Sequence, residues 1–175
     1  ASQEEVDQRL RLAYYKEYQR GSQAFNRGRQ DAAGYEDAVI YFGNAAYIQP
    51  DSAPPFINQA YSLLNSGNAQ GAIEPLEAAL ASNPDNAEAL LLKGQILQEQ
   101  AFTIQEAQEH TDMIREMKDA YDRAVAIDPA SQEEVDQRLR LAYYKEYQRG
   151  SQAFNRGRQD AAGYEDAVIY FGNAA

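Results

Sequence analysis

The chain has 175 residues, 44% of them hydrophobic, no Cys, and a formal net charge of −11 at neutral pH. It is apolar enough to fold, and it carries neither disulfides nor thiolate metal sites. No apolar run reaches the roughly 18–20 residues of a bilayer span, and the acidity argues against nucleic acid and against an anionic membrane surface.

Residues 1–46 recur letter for letter as 130–175, so each position in the block obeys i → i+129. A homogenised tandem array, an engineered duplication, or a window slightly longer than one period of something continuous would each produce this. All three make the chain a repeat protein, built for stacking and display. The second copy stops at Ala175, before the Tyr-Ile-Gln-Pro phrase that closes the first, and residue 1 is Ala rather than Met. An excerpt from a continuous array is therefore the expectation. Charge follows the repeat: each block has seven acidic and six basic residues, whereas residues 47–129 have thirteen and four. The acidic middle reads as a solubilising surface.

In chain order, Ser2 and Glu5 form a capping box that opens a long helix over about 3–27. Its seam is Val6, Leu10, Ala13, Tyr14, Tyr18, Gly21, Ala24 and Phe25. Helices are expected to end before Pro50, Pro84 and Pro129, and to restart after caps at Asp51 or Ser52 and at Asp85 or Asn86. Thr103 with Glu106 predicts a helix from near 104 to near Ile127, its stripe carried by Met113, Met117, Ala120, Tyr121 and Ala124. Ser131 with Glu134 repeats the first capping box. About seven helices result. The two long elements are expected to touch, residues 100–112 lying against 15–30 or 144–159.

Counting back from each of the three prolines gives one pattern. Ala45, Ala79 and Ala124 stand at −5, Phe42, Leu76 and Tyr121 at −8, and Ala38, Ala72 and Met117 at −12. Small, large and mostly small side chains on one helical face let another helix approach closely. This spacing resembles the second helix of a tetratricopeptide (TPR) repeat. The clearest unit is 53–86, where Phe56, Ala60, Leu63, Gly67, Ala72, Leu76, Ala79 and Pro84 fall on signature positions. The units are 3–52, 53–86 and 87–131, which together fill one period, and 132–175 is a truncated copy of the first.

The resemblance implies an all-α, right-handed TPR-like α-solenoid of antiparallel helix hairpins. It also implies a concave groove lined by Tyr15, Tyr18, Ser22, Ile57, Asn58, Tyr61, Leu64, Asn65, Leu91, Gln95 and Gln98, to which extended peptides bind. The Lys/Arg/Asn set with which some members grip a terminal carboxylate is absent from these positions.

Chemistry is otherwise sparse. The single His, His110, lies in an acidic stretch expected to be exposed, and no nucleotide-binding, EF-hand or paired-His motif occurs. Neither an enzyme nor a cofactor or metal is expected. Two functions compete. One is a structural array or fibre whose partner is itself, stacking through Val6, Leu10 and Tyr14 on one side and Val135, Leu139 and Tyr143 on the other. The second is an adaptor for protein peptides. A fibre would belong outside the cell or on its surface, and an adaptor in the cytoplasm. In a periodic array Val135 and Leu139 pack on the helix ending at Ile127, whereas another copy has to cover Val6 and Leu10.

Overall fold

A computed structural model describes residues 2–104 and 106–175. Among them the regular structure is entirely helical, with eight α-helices and no strand. Two compact units divide the chain, residues 1–92 and 93–175.

In the first unit, α1 (Gln3–Gly28) starts at the expected capping box. Glu5 N–H donates to Ser2 Oγ, and Ser2 N–H donates to Glu5 Oε2. A short turn leads to α2 (Ala33–Ile48), which returns antiparallel along α1. Close approach is possible because glycines face rings or backbone across the hairpin. A Cβ on Gly21 would come within 2.7 Å of the Phe42 ring, and one on Gly34 within 2.3 Å of the Gly28 nitrogen. Helix α3 (Ala53–Asn65) runs parallel to α1. Tyr14 OH lies 3.2 Å from Ser52 Oγ, and Asn58 Nδ2 donates to Tyr18 OH at 2.8 Å. The turn after α3 needs Gly67, the one residue described with positive φ, and α4 (Ile73–Ser82) follows.

In the second unit, the C-terminal part of α5 (Ala87–Ala101) pairs antiparallel with α6 (Ala107–Ile127). The Tyr121 ring lies so close to Gly94 that any Cβ there would clash. Its hydroxyl donates to Gln98 Oε1 at 2.9 Å, and burial pushes the phenol well above its ordinary pKa. Helix α7 (Gln132–Gly157) runs parallel to α5, with Gln98 Nε2 donating to the Arg138 carbonyl, and α8 (Ala162–Ala174) turns back along α7.

All nine side chains counted back from the three prolines are buried, and α2, α4 and α6 end at Ile48, Ser82 and Ile127. Asn86 caps α5 through its side chain, accepting from Ala89 N–H. Two expected capping boxes are absent. Ser131 sits in helical conformation at the end of a 3-10 turn (Pro129–Ser131), its hydroxyl donating to the Asp128 carbonyl. The incoming chain is already turning there, so the cap that Ser2 makes has no place. Thr103 donates to the Gln100 carbonyl, leaving Glu106 itself to cap α6, which starts at Ala107 rather than near 104.

Glu106 accepts from Gln108 and Glu109 N–H, and those bonds hold its carboxyl below its ordinary pKa. A lowered folded-state pKa adds stability above the unfolded-state value of about 4.5 and loses it as pH falls through the folded value. Denaturant titrations of wild type and Glu106→Ala are expected to differ at neutral pH and to converge as the solution is acidified through that range.

Candidate functional site

Because the two 46-residue blocks are identical, any difference between their surroundings comes from what packs on them. Their internal hairpins match. Phe25 and Tyr35 meet edge-to-face at 5.2 Å, and Phe154 and Tyr164 do so at 5.3 Å. The pair Arg27–Asp37 recurs as Arg156–Asp166. Ala24, Ala38 and their copies Ala153 and Ala167 are buried alike.

Outward from that shared seam the blocks part company. In the first, the face carrying Tyr14, Tyr18 and Phe42 is covered by α3, and Phe42 is only 2% exposed. Burial raises the pKa of Tyr18, partly offset by the bond from Asn58. In the second, the same face is open: Tyr143 and Tyr147 are exposed, and Phe171 is 36% exposed. The opposite face behaves inversely. Val6 is 39% and Leu10 47% exposed, whereas Val135 is 2% exposed; Leu139 is half-buried. Tyr41 is half-buried, and its copy Tyr170 is buried.

The covered face of the second block contains a buried polar cluster. His110, expected to be exposed, is instead fully buried on the inward stripe that α6 forms with Ala107, Ile114 and Met117. Its spacing of four and seven residues from Ile114 and Met117 was the available signal; the acidic neighbours lie on the outer face. Nε2 hydrogen-bonds Glu146 Oε1 at 2.7 Å, and Glu146 is 1% exposed. Nδ1 lies 2.8 Å from the Ala101 carbonyl and 3.1 Å from Arg149 Nη1, an acceptor and a donor competing for one position. Arg149 donates to the carbonyls of Phe102 (2.7 Å) and Ile104 (2.8 Å), closing the C-terminal end of α5. Asn173 Nδ2 reaches Glu146 Oε2 and Thr111 Oγ1, each at 3.1 Å. Ala101, Phe102, Ile104 and His110 therefore touch Glu146 and Arg149, the expected contact between long elements.

Of the equivalent residues in the first block, Arg20 and Asn44 are exposed and Glu17 is half-buried. Glu17 Oε1 accepts from Arg20 Nη1 at 3.0 Å, and Asn44 Nδ2 donates to Glu17 Oε2 at 2.8 Å. Ala13, Glu17, Arg20, Tyr41 and Asn44 line an open cleft of about 500 Å³.

The residues expected to line a groove differ in exposure and in bonding. Ile57 and Gln98 are buried in helix packing, and Asn58 is tied to Tyr18. Ser22 donates to the Tyr18 carbonyl and Asn65 to the Tyr61 carbonyl, while Gln95 bonds Glu134. Tyr15 is exposed; Tyr61, Leu64 and Leu91 are half-buried. Among the described residues no cluster of His, Cys, Asp or Glu could hold a metal ion, and no helix is long and apolar enough to cross a membrane. The chain matches no protein-family model and no curated protein sequence.

Glu17→Gln and Glu146→Gln make one chemical change in one local sequence, so intrinsic helix propensity cancels between them. Glu146→Gln disrupts a buried bond and is expected to cost roughly 1–3 kcal/mol in denaturant unfolding. Glu17→Gln alters a partly exposed pair whose Arg20 reaches solvent, and is expected to cost less than Glu146→Gln, about 1 kcal/mol or below.

Proposed function

We propose that this chain is a non-enzymatic structural protein, a TPR-like α-solenoid that extends as an array or fibre by stacking equivalent units on copies of itself. The supporting observation is that two identical blocks bury opposite faces. The block at 1–46 buries Phe42 and leaves Val6 and Leu10 half-exposed; the block at 130–175 buries Val135 and leaves Phe171 open. One sequence thus carries two docking faces, each complementary to a surface within the 129-residue period, so units can follow one another with every junction alike. The antiparallel hairpins, the parallel pairs α1/α3 and α5/α7, and the buried small–large–small face are the packing expected of TPR repeats.

Covering the open apolar faces supplies the drive, at about 25 cal/mol per Å² of apolar surface removed from water. A chain holding both blocks satisfies the surface around Ala101, Ile104 and His110 internally, so further docking there has to displace a block of equal chemistry. A chain shortened to residues 1–129 has no such competitor. It is expected to form linear oligomers whose mean mass rises with concentration in light scattering, while the 175-residue chain, which has to displace a block at each junction, does so only at higher concentration. A 1–129 chain that is folded by circular dichroism and monomeric at several hundred micromolar would remove the array reading and leave the peptide adaptor.

A further inference from the structure

Resting on that reading, we infer that the outer face of the first block is a preformed receptor for one particular segment of a second copy of this chain: the C-terminal end of α5 together with His110. The second block shows the same side chains in the occupied state. There the Glu146 carboxylate holds His110, Arg149 caps the carbonyls of Ala101, Phe102 and Ile104, and Asn173 joins Glu146 to Thr111.

The empty receptor already has most of this geometry. The Arg20 guanidinium lies 5.8 Å from the centre of the Tyr41 ring, as Arg149 does from Tyr170. Asn44 holds Glu17 Oε2 as Asn173 holds Glu146 Oε2. The difference is at Oε1, which faces Arg20 when the site is open and His110 when it is filled. Docking therefore requires one exchange: the arginine releases its carboxylate and turns to backbone carbonyls, and the imidazole takes the vacated oxygen. Within the receptor little reorganisation is left to oppose binding; what docking has to displace is the second copy's own Glu146 and Arg149.

The receptor is also selective. It demands an uncapped helix end for the arginine and an imidazole for the carboxylate, within one apolar surround. This chain has a single His, so it offers that combination at one place. An apolar helix without these groups would bury the Glu17–Arg20 pair with no new polar partner to offset its desolvation.

The test uses full-length protein and sedimentation velocity. Replacing Glu146 and Arg149 with Ala weakens the internal block while leaving Glu17 and Arg20 of other chains to compete for His110. Self-association is expected to tighten at least tenfold over wild type. Adding Glu17→Ala and Arg20→Ala is expected to return it to the wild-type level. Association that survives this fourfold replacement overturns the receptor but leaves the array; a double variant that associates no better than wild type overturns the receptor as well.

A second measurement avoids any dependence on the folding of the double variant. Asn173 and Thr111 touch, and the chain has no Cys, so an Asn44→Cys chain mixed with a Thr111→Cys chain under mild oxidation reports the same contact between molecules. Disulfide-linked heterodimer is expected at several times the yield given by Gln23→Cys, an exposed position elsewhere on α1. Equal yields would overturn the proposal.

Discussion

The close approach of α1 and α2 is the constraint on which the rest of the structure depends. Gly28 and Gly34 put backbone against backbone, and Gly21 makes room for Phe42. The hairpin is thereby held from within, and of these contacts only the Phe42 ring also belongs to an outer face. That is why one 46-residue sequence can present Tyr14, Tyr18 and Phe42 to a neighbour on one side and Val6, Glu17 and Tyr41 to a neighbour on the other. A hairpin held together by large interdigitated side chains would shift whenever a neighbour changed. Here the Phe25–Tyr35 and Phe154–Tyr164 geometries coincide although the surroundings differ.

The two faces differ in kind. The face turned to α3 in the first block is mainly aromatic, with two hydroxyl contacts at its edge. The covered face of the second block combines Val135, Ala142 and Tyr170 with a cluster in which His110 and Glu146 are buried and Arg149 half-buried. Aromatic surface tolerates several registers, whereas buried polar groups left without partners are costly, so the polar cluster is the part able to fix register. Among the described residues, no buried side-chain nitrogen or oxygen lacks a hydrogen-bond partner.

Much of the fold was legible in the sequence. The prolines located three helix ends, and the −5, −8 and −12 positions located nine buried side chains, because both rest on local rules that tertiary contacts seldom override. What failed did so through context. Ser131 repeats Ser2 in every neighbouring letter on its C-terminal side, yet it makes no box because Asp128 and Pro129 bring the chain in already turning. His110 looked exposed because charge was read from neighbours in sequence rather than from neighbours on the helical face. The polar cluster itself is centred on His110 and Glu146, 36 residues apart in the chain, and no local spacing announces it. The groove positions rest on a family register, and in this packing Ile57 and Gln98 serve the core.

The central claim is that identical sequence is used on opposite faces, and cysteine accessibility tests it directly because the chain has no native thiol. Single variants Val6→Cys, Val135→Cys, Phe42→Cys and Phe171→Cys would be labelled with a soluble maleimide under native conditions. The account predicts fast labelling at 6 and 171 and slow labelling at 135 and 42, so that the order reverses between the two faces. Equal rates within each pair, or one block protected at both of its positions, would contradict it.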